Sequence, residues 1–460
     1  MTVDMKIWDA VATVAAIKNG SVSAAEYAEA LADRAAKCAE LNTLQSFDGE
    51  HVVRTATEAF QANPEAALAG LPVVAKDNIN TTYYPTSGGT KAMLKHTPVS
   101  DAGVVRRIIQ AGGFIGAKAG MHELALGITS NNAVTGAVRN PNNPTMIPGG
   151  SSGGTAAAIA AGIFPAGLGT DTGGSCRIPA ALCGVIGFRP TTGRYSSDGI
   201  VPISHTRDTV GPLARSVRDI ALFDGVLSGD NAEITGVGLS NVTLGVPRQM
   251  FFDNLDPAVS KAVEAQLSVL SAAGARLVEV DFAPIWPHNE AFSFPVVFYE
   301  VMRDLPAYLA KHAPDVSFET LIAGIGSPDV AEAICSQLGE GAMPEAAYRA
   351  ALDVHGPAMR RIYGKVFEAN ELDAIVFPTT PLPAQPIGQD ETVTMNGEQV
   401  PTFPTYIRNT DLGSNIGAPG ISIPCPVSSD LPVGIEFDAL PGKDRSLLAL
   451  ARAAENAMAE

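Results

Sequence analysis

The sequence has few charged residues and lacks long apolar runs. Charged side chains make up 17% of its 460 residues, below the roughly 25% of an ordinary soluble domain. Because a low charged fraction goes with proportionally little surface, we expect one large body, although the length alone would allow about two or three domains. No apolar run reaches the ~18–20 residues that cross a bilayer. We therefore expect no membrane partner.

Cysteine is also scarce, and positive charge is in deficit. The five cysteines are scattered, with no CxxC pair and no Cys/His spacing typical of zinc sites. The first residues include Asp4 and only a short apolar stretch, unlike a secretory signal. We expect a cytoplasmic protein with reduced thiols, without a metal or other cofactor. The formal net charge of −17 argues against non-specific binding of nucleic acid, which needs a basic surface.

What the sequence does contain is an alternation of helices with short apolar strands. Two helices are expected over 5–40, the second started by a Ser-x-x-Glu capping box at Ser23. The apolar run 71–75, which ends at Lys76, is typical of a strand buried on both faces. Two or three helices are expected in 290–370. This pattern predicts an α/β fold with a helix-covered, mostly parallel or mixed sheet.

The first of two glycine- and serine-rich segments, PGGSSGGT, spans 148–155. Ser151 lies in a GxSxG pattern like that of a nucleophile elbow, but a turn-rich stretch precedes it where an elbow needs a strand. A phosphate-binding loop would need GK[ST] or GxGxxG, and the segment has neither. A glycine-rich turn before a helix is the structural alternative. This segment alone does not distinguish a catalytic serine from a structural turn.

The second segment, GTDTGGS over 169–175, follows an apolar run. Successive glycines can expose several backbone amides to a reacting atom, because they have no Cβ and tolerate positive φ. Ser175 is therefore a candidate nucleophile beside its own oxyanion hole.

A serine nucleophile needs a base within hydrogen-bond reach. None of the seven histidines lies in either glycine-rich segment. A lysine can replace histidine if burial lowers its pKa toward neutrality. Lys76 is the one lysine that its neighbours place at the end of a buried strand, so it is the candidate base.

Together, Lys76, Ser151 and Ser175 resemble the Ser–cis-Ser–Lys triad of the amidase signature family. The resemblance extends over essentially the whole chain, through GLPVVAKDNI, PGGSSGGTAAAIAAG, GTDTGGSCRIPAALCGVIGFRPT and GAPGISIPC. It implies an α/β amidase-signature fold, a central twisted mixed β-sheet covered by helices on both faces. It also implies a single domain over 1–460, with helices 5–40 packed on the core and 290–370 as a helical insertion.

The resemblance assigns a role to each residue of the two segments. It makes Ser175 the acylated nucleophile, Ser151 the bridging serine after a cis peptide bond, and Lys76 the final proton acceptor and donor. The expected oxyanion hole consists of backbone amides, those of Thr172, Gly173, Gly174 and Ser175. Asp171 and Arg177 are expected to brace this loop, and a core ion pair is the structural alternative for them.

The segment 120–141 resembles the family branch that contains indoleacetamide and mandelamide hydrolases. Those enzymes act on arylacetamide-type substrates, so the expected reaction is hydrolysis of a small, largely apolar carboxamide by water. By position, Leu124, Ala125 and Ser152 are expected to bind the substrate, and simple core packing is the alternative for Leu124 and Ala125. The triad does not encode the leaving group, so a hydrolase of hydrazides, ureas or anilides would have the same motifs.

Two other classes stay open at this point. One is a protein like the A subunit of the glutamine-dependent amidotransferase. The other is an α/β-hydrolase-type esterase that uses Ser151 or Ser152, which would require a histidine base that no neighbourhood in the sequence suggests. The oligomeric state is left open, and a homodimer is compatible with the sequence.

Overall fold

The structure is a computed structural model, and it describes residues 8–232, 234–426 and 430–459. The helices are α1 Ala10–Lys18, α2 Ala24–Lys37, α3 Gly49–Ala62, α4 Gly103–Gln110, α5 Gly153–Ala160, α6 Arg177–Cys183, α7 Val217–Ser228, α8 Arg248–Phe251, α9 Pro257–Ala272, α10 Trp286–His312, α11 Phe318–Ala323, α12 Pro328–Cys335, α13 Glu345–Ala350, α14 Gly356–Asn370, α15 Thr402–Ile407, α16 Asp411–Ile416 and α17 Asp444–Ala459. The strands are β1 Leu44–Phe47, β2 Pro72–Lys76, β3 Phe114–Ala119, β4 Asn131–Asn132, β5 Gly136–Ala137, β6 Ala166–Asp171, β7 Ile186–Arg189, β8 Thr209–Ala214, β9 Thr243–Val246, β10 Arg276–Glu279, β11 Ala374–Pro378, β12 Thr392–Met395, β13 Glu398–Pro401, β14 Gly420–Pro424 and β15 Gly434–Asp438.

Eleven of the described strands form one mixed sheet, in the order β1-β3-β2-β6-β8-β7-β14-β15-β11-β9-β10. The neighbours β3, β2 and β6 are parallel to one another, and so are β11, β9 and β10. All pairings from β6 across to β11 are antiparallel, as is the edge pairing of β1 with β3. The sheet is therefore parallel in two separate groups of strands.

Helices cover both faces of this sheet. In β2, Val73 packs into a core shared with α4, α7, α9 and α17, while Val74 packs on the opposite face with α2, α3 and α5. In β11, Val376 shares the first core, and Phe377 packs on the other face with α10 and α14. Burial on both faces explains why these strands are continuous apolar runs. The predicted α/β fold, with a mixed sheet and helices on both faces, is confirmed.

The two N-terminal helices are α1 and α2, and residues 5–7 of the predicted range lie outside the described residues. The capping box is formed: Ser23 Oγ accepts from the Glu26 amide (3.1 Å), and the Ser23 amide donates to Glu26 Oε2 (2.8 Å). The expectation of two or three helices in 290–370 is wrong, because this range contains all or most of five helices, α10 to α14. Ser317 caps α11 and Pro328 begins α12, so the chain is divided more often than its apolar pattern indicates. The single domain over 1–460 stays a prediction.

None of the helices in the described part of the chain combines the length and the apolar character that crossing a membrane requires.

Candidate active site

The side chain of Lys76 lies at the end of β2, fully buried, between two hydroxyl groups. Its Nζ donates to Ser151 Oγ at 2.7 Å and to Thr170 Oγ1 at 2.8 Å. Because β2 and β6 are parallel neighbours, their carboxyl ends bring Lys76 and Thr170 to the same edge of the sheet. Ser151 comes from the loop before α5, and the Gly150–Ser151 peptide bond is cis. The fold thus joins the first two residues of the predicted triad.

Burial sets the protonation of Lys76. Loss of hydration lowers the pKa of Lys76 from 10.5 to about 7, and the nearby carboxylates of Asp171 and Asp208 oppose this shift only in part. A lysine with such a pKa is partly neutral near pH 7, and the neutral amine is the form that accepts a proton.

The loop from Asp171 to Cys176, which connects β6 to α6, is folded around the Asp171 carboxylate. Its Oδ1 accepts from the Gly174 amide at 2.9 Å, and its Oδ2 accepts from the Cys176 amide at 3.0 Å. Gly174 has φ +140°, and a Cβ there would collide with the Thr410 side chain, so the position requires glycine.

The four backbone amides of the predicted oxyanion hole differ in whether they are already hydrogen-bonded within the protein. The Gly174 amide is already bonded to Asp171. The amides of Thr172, Gly173 and Ser175 have no hydrogen-bond acceptor in the described part of the chain. These three amides are therefore the donors available to an oxyanion.

Two arginines hold Asp171 in place. Arg177 donates through Nε to Oδ2 and through Nη2 to Oδ1, each at 3.1 Å, and all of these groups are fully buried. Arg189 donates to Asp171 Oδ1 at 3.0 Å and to its carbonyl oxygen at 2.6 Å. Burial alone would raise the pKa of Asp171, but the two guanidinium groups hold that pKa well below its usual range. The pairing of Asp171 with Arg177 was expected, whereas Arg189 was missed in the sequence.

Ser175 lies just before α6 and lines the main cavity of the site. Its hydroxyl has no hydrogen-bond partner among residues 8–232, 234–426 and 430–459. Ser175 and Ser151 are therefore not hydrogen-bonded to each other, although a proton relay would need that bond. The backbone still links the two segments, because the Ser152 amide donates to the Ser175 carbonyl at 3.2 Å.

The cavity has a volume of about 490 Å³, within the usual range of small-molecule sites, ~300–1,000 Å³. Its lining is largely apolar, and it includes Ala125, Ile128, Ile178, Ile203, Trp286, Phe294, Val297, Phe298, Phe403 and Ile407. Ala125 is the one residue of the predicted substrate-binding set that lines it.

The structure places the other two predicted pocket residues away from the cavity. Leu124 is buried in a core cluster that includes Met93 and Val201. Ser152 is fully buried, and its Oγ bonds the backbone of Thr170, donating to the carbonyl at 3.2 Å and accepting from the amide at 3.3 Å. The apolar run around Leu124 predicted a wall of the substrate pocket. Neighbouring side chains of a short run point in different directions, so only some of them can line the cavity.

Sequence reasoning missed the aromatic part of the lining, of which three side chains come from α10 and the fourth, Phe403, from α15. Phe294, Val297 and Phe298 have the i, i+3, i+4 spacing of one helix face, and this was the available signal. The same spacing describes any helix packed on a core, so it could not identify a cavity.

Neither a thiol nor a histidine competes with the lysine at this site. Burial raises the pKa of the Cys176 thiol, which keeps the sulfur protonated and weakly nucleophilic. Within the described residues, no histidine side chain is hydrogen-bonded to Ser151, Ser152 or Ser175.

One group of described side chains has the composition of a metal site, namely His205, Glu300 and Asp304. The Glu300 carboxylate already accepts hydrogen bonds from Ser204, Thr206 and Tyr348. The Glu300 oxygens therefore already accept hydrogen bonds from the protein.

Comparison with known proteins agrees with this fold. A family model described as Amidase matches residues 26–448. The chain is 44% identical over 444 residues to indoleacetamide hydrolase of Rhizobium radiobacter, which covers 96% of this chain and 95% of that protein. It is 37% identical over 477 residues to mandelamide hydrolase of Pseudomonas putida, with 98% and 92% covered. A crystal structure of an amidase superposes with a TM-score of 0.87 at 34% identity, covering 98% of this chain and 100% of that one.

The chain belongs to the amidase family. It is a hydrolase that acts on amide C–N bonds, as the sequence predicted, and its resemblance to the indoleacetamide and mandelamide hydrolase branch is confirmed.

Proposed function

We propose that the enzyme hydrolyses a small, largely apolar carboxamide of the arylacetamide type through an acyl-enzyme on Ser175. The observation that carries this proposal is the buried Lys76, bonded to Ser151 and with a pKa of about 7, close to a serine that faces an aromatic-lined cavity.

The proton relay follows from these positions. Neutral Lys76 takes the proton of Ser151 as Ser151 takes that of Ser175, and Ser175 Oγ attacks the carbonyl carbon. The tetrahedral oxyanion accepts hydrogen bonds from the amides of Thr172, Gly173 and Ser175. When the C–N bond breaks, the proton returns through Ser151 to the departing nitrogen. Water then attacks the ester by the same relay and releases the carboxylic acid and the free serine.

The acyl group is argued from the cavity. Its lining is mostly apolar and contains four aromatic side chains, a surface suited to a flat apolar group. The names of two relatives, indoleacetamide hydrolase and mandelamide hydrolase, indicate substrates of this kind for those enzymes. The cytoplasmic location and a homodimer stay predictions.

A panel of purified substrates tests the proposal. The enzyme is incubated with phenylacetamide, indole-3-acetamide, a hydrazide and a urea of similar size, and with glutamine, and the released ammonia or hydrazine is measured. We expect the arylacetamides to react fastest. Turnover of glutamine alone would contradict the proposed substrate class.

Trapping tests the intermediate. Hydroxylamine should divert turnover to a hydroxamate, because a second nucleophile can intercept an acyl-enzyme. Denaturing mass spectrometry with a slowly hydrolysed substrate should place the acyl mass on the peptide that contains Ser175. Acyl mass on a Ser175→Ala variant, at Ser152 or Cys176, would contradict the assignment of the nucleophile.

A further inference from the structure

Asp208 lies beside the loop that carries the proposed oxyanion donors. In the antiparallel pair of β6 and β8, Asp171 lies opposite Thr209, so Thr172 and Asp208 face each other one position beyond the last pair of the ladder. The Thr172 hydroxyl donates to Asp208 Oδ1 at 2.6 Å. Thr172 lines the same cavity as Ser175, and its amide has no acceptor in the described part of the chain. Asp208 is therefore bonded directly to a residue that supplies an oxyanion donor.

The second carboxylate oxygen of Asp208 holds another wall of the cavity. Asp208 Oδ2 accepts from the amides of Ile203 and Ser204, at 2.8 and 3.0 Å. Ile203 lines the cavity, on the apolar side. One carboxylate thus joins the oxyanion loop to the wall that faces the acyl group.

The carboxylate of Asp208 serves no ion pair. No ion pair within residues 8–232, 234–426 and 430–459 includes Asp208, whereas Asp171 is paired with two arginines. The guanidinium of Arg207, the preceding residue, bonds Asp411 at 2.6 Å instead. The contacts of Asp208 are therefore those of a link between two parts of the site.

We propose that Asp208 is a positioning residue for the hydrolysis: through the Thr172 hydroxyl it directs the Thr172 amide toward the oxyanion, and it holds this loop against the wall at Ile203. The inference rests on the proposed function, because it concerns the amides that we assign to the oxyanion. Asp208 acts through Thr172 and not on the substrate itself. Its effect should therefore appear in kcat, with little change in KM.

Two substitutions of Thr172 test the link. Thr172→Val removes the hydroxyl and keeps the shape of the side chain, and Thr172→Ser restores the hydroxyl. We expect Thr172→Val to lower kcat on phenylacetamide by about tenfold or more, with KM changed by less than about twofold, because a displaced amide weakens binding of the oxyanion alone. Thr172→Ser should stay close to the wild type.

Thr191→Val is the matched control. The Thr191 hydroxyl also donates to an aspartate at 2.6 Å, to Asp444 Oδ2, and neither residue lines the cavity. This variant loses a threonine–carboxylate bond of the same length and should keep the wild-type kcat. Thermal unfolding of all the variants shows that each one is folded.

A tetrahedral adduct measures binding of the oxyanion more directly. Phenylacetaldehyde is a carbonyl compound that a serine can attack, and the adduct resembles the transition state. We expect Thr172→Val to raise the Ki of phenylacetaldehyde by about the factor by which it lowers kcat/KM for phenylacetamide. An unchanged Ki in that variant would mean that the Thr172 hydroxyl does not align an oxyanion donor, and would overturn the inference.

Variants of Asp208 show whether it acts through Thr172. Asp208→Ala should lower kcat at least as much as Thr172→Val does. Asp208→Asn should restore most of the activity, since asparagine can accept from the two amides and donate to Thr172 Oγ1. In the double variant Asp208→Ala/Thr172→Val, the loss should equal that of Asp208→Ala alone, because the two residues share one path. Losses that multiply would overturn the inference.

The outcomes separate this inference from the proposed function. A wild-type kcat in Thr172→Val, or an equal loss in Thr172→Val and Thr172→Ser, overturns the positioning role and leaves hydrolysis through Ser175 intact. If the wild type hydrolyses no arylacetamide, the proposed function fails, and the inference that rests on it fails with it.

Discussion

Lys76 combines two properties that oppose each other, a charged chemical type and full burial. Its neighbours are hydroxyl groups rather than carboxylates, so nothing in direct contact restores the charge that burial disfavours. This arrangement suits a base and would be poor for a structural ion pair, because a buried ion needs a counter-ion. The contrast with Lys118 is direct, since Lys118 Nζ lies 3.4 Å from the carboxylate of Asp77.

The pH dependence of the reaction should follow Lys76. We expect kcat/KM to rise with pH through about 7, because the pKa of Lys76 is lowered to that value and its neutral form is the base. Lys76→Ala should lower kcat by at least about 10³-fold. Initial rates from pH 5 to 9 with phenylacetamide measure both effects. A rate maximum near pH 5 would contradict a lysine base.

The adjacent serines should differ in their effect on catalysis. Ser151 accepts the hydrogen bond of Lys76, whereas Ser152 bonds the backbone of Thr170 through its hydroxyl and the Ser175 carbonyl through its amide, and it makes no hydrogen bond with Lys76. We expect Ser151→Ala to lower kcat by about 10²–10³-fold or more, and Ser152→Ala to cost mainly stability, about 1 kcal/mol. Steady-state kinetics and thermal unfolding of the two variants give the comparison. Equal losses of kcat would place Ser152 in the reaction.

The chemistry of the site could be predicted from sequence to the extent that it depends on residue type. Lys76, Ser151 and Ser175 could be proposed together because a serine nucleophile needs a base and the local sequence buries only one suitable lysine. The structure brings Lys76 to Ser151, and the roles of the three residues stay a prediction. Arg189 could not be proposed, since nothing local distinguishes an arginine at the end of a strand from one exposed to water. Its bonds to Asp171 depend on the pairing of β7 with distant strands.

Among the elements, the connection between β6 and α6 determines the position of the amides that we propose as oxyanion donors. A strand and a helix are joined here by residues 172–176, and the Asp171 side chain fixes the backbone of this short loop. Gly174 has a positive φ, and an added Cβ would collide with Thr410. The proposed oxyanion donors therefore depend on backbone conformation as much as on side-chain identity.

A glycine substitution tests that dependence. Gly174→Ala should lower kcat by at least about 10²-fold, because the new Cβ collides with Thr410 and displaces the amides of the loop. Gly193→Ala is the matched control, since Gly193 also has a positive φ, +86°, but no atom within 4 Å of a Cβ. It should lose about 1 kcal/mol of stability and keep its activity. If both variants keep full activity, the loop does not supply the oxyanion donors.

Prediction of the elements succeeded where apolar periodicity and end signals agreed. The capping box at Ser23 and the buried run of β2 are such cases. In the region of α10 to α14, the apolar pattern continues across several breaks that caps and prolines impose, so the number of helices was underestimated. The order of the eleven strands is set by contacts far apart in the chain, which local sequence does not encode.

Across the whole molecule, the sheet and the helices on its faces bury two lysines completely, Lys76 and Lys118. Burial lowers the pKa of Lys76 to about 7 and that of Lys118 to about 8. Both groups are protonated in the unfolded chain up to about pH 10. The folded state therefore releases protons that the unfolded state retains, and folding becomes more favourable as pH rises through this window.

Burial of Lys76 should thus reduce stability most at and below neutral pH. Between about pH 7 and 10 the unfolded chain binds one more proton at Lys76 than the folded chain, so the wild type gains up to about 1.4 kcal/mol per pH unit relative to a variant that cannot titrate there. Lys76→Met should be inactive, with a higher Tm than the wild type at pH 7 and an advantage that shrinks at pH 8 and pH 9. Thermal unfolding at the three pH values measures this difference, and Lys365→Met, at an exposed position of α14, is the control that should show no such trend. If the Tm difference between Lys76→Met and wild type stays constant from pH 7 to pH 9, Lys76 has an ordinary pKa in the folded protein. The lysine would then be too basic to act as the proton acceptor at neutral pH.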